Sequence, residues 1–407
     1  MPVDSQERTS HAAATIICCV LAVFCEGIDL QAAGVAAGGV VPEFKPSPEQ
    51  LGNFFSASTI GLFFGALVGG RLSDLIGRKR VVGTSIGLFG LFSLLTPLAW
   101  DMPTLCWARL LTGLGLGGAL PNLIALANEA SAPGRRSANV ALTYSGAPFG
   151  GAVASLISMV VLPSHWRWIF IAGGVAPLII APVMLAKLRE SPAFAASPGP
   201  GNSLSILAAG RAIPTLLLWV SFFVGLLTLY LLLSWLPTLL VGNGMSKPQA
   251  AAVQIAFNVG GGLAALLMGQ VLEGRLRGAG VVTTFVALPG LILLLSRSPP
   301  VLVVTVLIVF GLGCAVLAAQ AFLYAIAPMC YPASIRGVGV GAAVAVGRIG
   351  SIAGPKLGGV LKAAGHSYSQ LLTDLLPIVV VGSVTAIVLA WITRRTTVVA
   401  GAGISHS

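Results

Sequence analysis

The chain has 407 residues, of which 56% are hydrophobic and only 9% charged, and its mean hydropathy is +0.95. Soluble domains carry about a quarter charged residues, so a water-soluble globule is excluded and a polytopic membrane protein is expected. The net charge of +11 comes without basic clusters interleaved with base-stacking aromatics, which excludes nucleic acid as a partner.

A hydrocarbon core of roughly 30 Å takes about 20 helical residues to cross. Twelve apolar stretches are that long, centred on 12–40, 51–72, 81–100, 104–127, 137–162, 166–187, 214–241, 248–271, 279–296, 301–327, 337–361 and 371–393. The expected fold is all-α, with twelve transmembrane helices.

The first span contains "FCEGIDLQAAG", Phe24 to Gly34, and so carries Glu26 and Asp29 inside an apolar run. That run is too long for a cleaved signal peptide, so the span is expected to stay in the protein. The two acids fall about 14 and 17 residues into the span, close to the bilayer midplane at 1.5 Å per residue. Their i,i+3 spacing puts them on one helix face. A charge at the centre of a spanning helix costs about 2.5–3.5 kcal/mol, so the pair needs either a partner or a task. Taking up and releasing a proton is such a task; a permanent ion pair is the structural alternative.

Span two has a glycine ridge, Gly61, Gly65 and Gly69, and ends in "GRLSDLIGRKR", Gly70 to Arg80. Span four holds Arg109 followed by Gly113, Gly115 and Gly117, a pattern suited to close helix packing, and then Asn122. Span five contains Tyr144 and "SGAPFGG". After span six, the stretch 189–213 is weakly hydrophobic and rich in Pro, Ser, Gly and Ala. It is expected to link an N-terminal six-helix bundle, 1–188, to a C-terminal one, 214–407.

Spans seven, eight and ten place Tyr230, Trp235, Gln254, Asn258, Gln320 and Tyr324 within apolar surroundings, as Gln31 and Asn122 are placed earlier. Each of these suits packing or a helix–helix hydrogen bond. As a set they could supply a slot for an aromatic ring, with donors and acceptors for a hydroxyl. Span eleven carries Arg348 in "AVAVGRIGSIAGP", where small neighbours leave room around a guanidinium able to grip a carboxylate with two bonds. Its alternative role is an ion pair with Glu26 or Asp29.

A faint internal repeat supports the 6+6 plan. Gly70 and Asp74 precede Gly269 and Glu273 by 199 residues, and Arg136 and Gly150 precede Arg336 and Gly350 by 200. With the N-terminus inside, fifteen of the 23 Lys and Arg residues fall on the inner side and five outside, which predicts that both termini are cytoplasmic. The six cysteines form no CxxC pair and the four histidines lie at span ends or in tails, so neither disulfides nor a metal site is expected.

Twelve spans, the 6+6 repeat and "GRLSDLIGRKR" together resemble the major facilitator superfamily. That resemblance implies a cytoplasmic latch of Gly70, Asp74, Gly77, Arg78 and Lys79, with Arg136 on the next loop of the same side, although Leu75 stands where a basic residue is usual. In span five "SGAPFGG" partly resembles the glycine–proline motif of proton-coupled antiporters, with Ala147 in place of the glycine before Pro148, and this partial resemblance keeps a proton-coupled exporter of drugs or metabolites as the alternative function. "EGIDLQAAG", with glutamate in place of the commoner aspartate at Glu26, resembles the span-one signature of the aromatic acid:proton symporter family. "WARLLTGLGLGGALPNLIALANEA" and "GVGVGAAVAVGRIG" extend the similarity to span eleven.

This second resemblance implies import of a phenylpropanoid carboxylate with protons across a bacterial inner membrane, by a monomer that is not an enzyme and needs no cofactor beyond the proton. The expected site has Arg348 on the carboxylate with Arg109 assisting, and Glu26 or Asp29 carrying the proton. Tyr144, Tyr324 and Trp235 would hold the ring, while Gln31, Asn122 and Gln320 complete the contacts.

Overall fold

In lipid every backbone polar group must be satisfied within the chain, and the apolar stretches accordingly form helices. The computed structural model describes residues 3–160, 165–187, 207, 210–273, 277–332 and 335–402. Its long helices are α1 (Val3–Phe44), α2 (Pro48–Ile76), α3 (Arg78–Leu95), α4 (Met102–Ala130), α5 (Arg136–Val160), α6 (Arg167–Lys187), α7 (Ala212–Gly242), α8 (Lys247–Glu273), α9 (Arg277–Arg297), α10 (Leu302–Ile326), α11 (Arg336–Ala363) and α12 (Tyr368–Ala402). All twelve are long and apolar enough to cross a membrane, and each coincides with one expected span. The expected linker lies outside the described residues apart from Leu207 and 210–213.

Local chemistry sets the ends. Ser47 and Gln50 form a reciprocal capping box that starts α2 after the short turn from α1. Asp101 accepts a 2.8 Å bond from the Thr104 amide at the start of α4, and hydrogen bonding to Thr104 holds its carboxyl below the usual range. Gly77, at φ 94°, makes the break between α2 and α3 that a side chain would resist.

Packing repeats with a period of six helices. In the first six, α1 packs on α5, α2 on α4 and α3 on α6; in the last six, α7 packs on α11, α8 on α10 and α9 on α12. The close approaches repeat as well. A Cβ on Gly113 would lie 1.9 Å from the Ser58 carbonyl oxygen, and one on Gly313 would lie 2.0 Å from that of Phe257. A Cβ on Gly150 would lie 1.9 Å from the Phe24 carbonyl oxygen, and one on Gly350 would lie 2.1 Å from that of Phe223. Backbones can approach this closely only where the side chain is absent.

The end of the bundle holding the α2–α3 turn, with Arg78, Lys79 and Arg80, is called the basic face, and the end holding the α1–α2 turn the far face. Helices α5 and α8, α2 and α11, and α1 and α7 join the two sets of six. On the far side one apolar core runs through both sets, including Phe54, Phe55, Trp166, Leu231, Trp235, Phe257 and Leu312. Toward the basic face it divides into two clusters, one around Val23, Ile86 and Leu123 and the other around Phe222, Phe285 and Phe322. The bundle is therefore joined at the far face and parted at the basic face.

Candidate functional site

Helix α1 presents its two mid-span acids, Glu26 and Asp29, to different neighbours. Asp29 is fully buried and paired with Arg109 of α4, each carboxylate oxygen receiving a 2.8 Å bond from a separate guanidinium nitrogen. Arg109 Nη2 also donates to the Asp29 carbonyl oxygen at 3.1 Å, and Ser93 donates to the carboxylate at 3.0 Å. The Arg109 guanidinium lies 5.1 Å from the Phe170 ring centre, which adds a cation–π contact. This closed arrangement cancels both charges inside the first six helices.

Among the described residues Glu26 has no such ion-pair partner. It lines a cavity of about 80 Å³ with Arg348, Tyr144, Tyr230 and Tyr324. Its Oε2 is buried without a hydrogen-bond partner among the described residues. Arg348 donates to the Tyr230 hydroxyl at 3.1 Å, which among the described residues leaves most of its donors uncommitted. Tyr324 packs edge-on against Tyr144, at 6.2 Å, and against Phe222, at 5.1 Å. Apolar side chains from both sets, among them Leu30, Leu120, Leu226 and Leu317, complete the wall. An acid, a guanidinium and three phenols thus share one cavity between the two sets.

Gln31 forms the far end of that space. Its Nε2 donates to the Leu233 carbonyl oxygen of α7 at 3.0 Å, and its Oε1 accepts from Gln254 at 3.0 Å and Asn258 at 3.1 Å, both on α8. Beyond it lies a larger crevice of about 530 Å³ at the far face, walled by the ends of α1, α5, α7 and α8 with Lys247 at its edge. That crevice is mainly apolar and holds neither acid of α1, so the smaller cavity is the chemical site.

The structure gathers Glu26, Arg348, Gln31, Tyr144 and Tyr324 around the cavity and sets other candidates apart. Trp235 is buried, donates to the Pro355 carbonyl oxygen at 2.8 Å and packs against Phe55. Asn122 bonds back to Gly118 of its own helix at 2.9 Å. Gln320 is buried beside Gly225. Tyr230 and Asn258 join the site instead; the sequence marked them only as polar residues within spans. Among the latch residues, Arg78 pairs with Glu129 at the end of α4, whereas the side chain of Asp74 lies outside the described residues. Gly70 faces open space, and the close approach falls on Gly69, where a Cβ would lie 2.5 Å from the Gly118 Cα. Arg136 opens α5 on the same face.

Comparison with known proteins agrees with this architecture. Residues 19–355 match the family model of the Major Facilitator Superfamily. The 3-(3-hydroxy-phenyl)propionate transporter of Escherichia coli (strain K12) is 41% identical, over 94% of this chain and 94% of its own. A 4-hydroxybenzoate transporter of Pseudomonas aeruginosa is 31% identical, over 92% of this chain and 91% of its own. Among solved structures, a D-xylose–proton symporter superposes with a TM-score of 0.74 at 15% identity, covering 92% of this chain and 96% of that one, a likeness of fold alone. The chain belongs to the Major Facilitator Superfamily: it is a multi-pass membrane transporter and not an enzyme.

Proposed function

We propose that the chain imports aromatic carboxylates such as 3-(3-hydroxyphenyl)propionate together with protons across the bacterial cytoplasmic membrane, with both termini in the cytoplasm. The observation that carries this reading is the separation of the two mid-span acids of α1. Asp29 is tied to Arg109, while Glu26 shares a cavity with Arg348 and three tyrosines. Hydroxylated aromatic acids are the cargo named for the two relatives compared above.

The charge arithmetic then involves two groups. With Glu26 ionised, Glu26 and Arg348 sum to zero. Protonating Glu26 leaves the cavity one positive charge, and an incoming carboxylate neutralises it. Proton and anion therefore favour each other's binding, as thermodynamic linkage requires. Arg348 holds the carboxylate with its fork of donors, and Tyr144 and Tyr324 flank the ring. Of the two mid-span acids, Glu26 can change charge without breaking the Asp29–Arg109 ion pair, so it takes the coupling role and Arg109 serves as the counter-ion of Asp29. The two six-helix bundles rock about this site, opening it to one face at a time. The proposed transporting unit is a monomer, with the proton as its coupling ion.

The test is uptake of labelled 3-(3-hydroxyphenyl)propionate into proteoliposomes, with and without an inward proton gradient. The unaltered chain is expected to accumulate the acid only with the gradient. Glu26→Gln should lose accumulation yet still exchange internal for external acid, and Arg348→Ala should lose both. Gradient-driven accumulation by Glu26→Gln would remove Glu26 from the coupling role. Accumulation only with the gradient reversed would make the chain an exporter.

A further inference from the structure

Both carboxamide atoms of Gln320 lack a hydrogen-bond partner among the described residues, and the side chain is 1% exposed. An unpaired amide in an apolar interior is costly, and one retained there calls for an explanation. Its position supplies one. On α10, Leu317 and Tyr324 line the cavity, three residues before and four residues after Gln320, so all three share a helix stripe. The Gln320 Nε2 fills the space beside Gly225 of α7, where a Cβ would lie 2.6 Å from it. The next residue, Leu226, lines the cavity.

The internal repeat makes the same point independently. Gly225 follows Glu26 by 199 residues and Gln320 follows Leu120 by 200, the offsets that relate the paired glycine contacts of the two sets. Glu26 and Leu120 both line the cavity. Where the first six helices set a carboxyl on α1 and a leucine on α4, the last six omit the side chain on α7 and set a carboxamide on α10.

We infer that the Gln320 carboxamide receives the ring hydroxyl of the transported acid and selects hydroxylated over unhydroxylated arenes. This rests on the aromatic-acid reading above and deepens it. A phenol both donates and accepts, and a carboxamide offers the matching pair of atoms. Arg348 meets α7 at Tyr230, five residues or about 7.5 Å along the axis from Gly225. The receptor for the carboxylate and the receptor for the hydroxyl are thus set apart, as the two ends of one molecule require. In this conformation the carboxamide is enclosed and is not itself part of the cavity lining, so the wall beside it must shift as the substrate ring enters.

The experiment compares proteoliposome uptake of 3-(3-hydroxyphenyl)propionate with that of 3-phenylpropionate, the same acid without the hydroxyl. The full chain is tested unaltered, as Gln320→Met, which keeps the length and loses the polarity, and as Gln320→Asn. The unaltered chain should favour the hydroxylated acid by at least about tenfold in KM, since a site built to bond a hydroxyl rejects its absence. Gln320→Met should raise the KM of that acid about tenfold and leave 3-phenylpropionate within about twofold, and Gln320→Asn should fall between. A structural role would move both acids by the same factor, and that result, or no change in either, overturns the inference. So does loss of both acids by inserted Gln320→Met protein, or an unaltered chain that takes both acids equally well; the last leaves the aromatic-acid reading standing. Transport of neither acid by the unaltered chain overturns that reading, and this inference with it.

Discussion

Asp29 and Arg109 show how two buried charges become silent. Their bidentate contact, with Ser93 on the carboxylate and Phe170 under the guanidinium, leaves the pair neutral and dry. Removing one partner strands the other, at a cost of about 3–5 kcal/mol for a buried ion. Asp29→Asn and Arg109→Gln should therefore each lower the melting temperature of the detergent-solubilised protein. The double variant should recover much of the loss, a non-additivity that a mutant cycle measures directly. An Asp29→Asn protein as stable as the parent, but with uncoupled transport, would return the proton to Asp29. The sequence exposed both acids as anomalies in an apolar run and named Arg109 and Arg348 as the other deep charges. It could not assign partners, because the contact between Asp29 and Arg109 spans 80 residues and is fixed only when α1 packs beside α4. Trp235 was open to misreading for a similar reason. An indole in an apolar helix has the same sequence context whether its N–H meets a ligand or, as here, the Pro355 carbonyl.

Helix pairing depends on glycines that the sequence offered in abundance, 51 in all, without saying which ones touch. The structure separates them. Gly150 and Gly27 hold α1 against α5, with Cβ positions 1.9 Å from the Phe24 oxygen and 1.8 Å from the Ala147 oxygen. Gly70, at the head of the loop motif, has nothing within 4 Å. Since α1 carries both acids, its seat on α5 also sets where Glu26 points. Gly150→Ala should therefore force the helices apart, lowering the melting temperature and the affinity for substrate, whereas Gly70→Ala should leave the melting temperature unchanged. Overpacking of this kind costs about 1–3 kcal/mol. Equal melting temperatures for the two variants would mean that α1 and α5 can slide without loss. The twelve spans themselves were legible to within about four residues, because length and hydropathy mark the segments able to cross a bilayer. The repeat was only faint in the loops, yet it is plain in the paired glycine contacts, since those positions alone are held by backbone proximity.

For the whole molecule, transport requires that the far face open and the basic face close. The far face is held by the continuous apolar core and by a polar clasp at Gln31. That clasp stands between the charged cavity and the far-face crevice, so it must break before solute can pass between them. Hydrogen bonds between helices in a membrane average about 0.6 kcal/mol, so three of them contribute about 2 kcal/mol. Gln31→Ala should then raise the population of far-face-open molecules by roughly 20- to 30-fold relative to the closed form. Spin labels at Glu49→Cys on α2 and Ala363→Cys on α11, in a chain whose six native cysteines are replaced by alanine, would report this as a second, longer distance. The same shift should weaken gradient-driven accumulation while sparing exchange, because a far face that opens without substrate lets protons return uncoupled. A distance distribution identical to that of the parent would show that the apolar core alone holds the far face, and that Gln31 serves the cavity and not the gate.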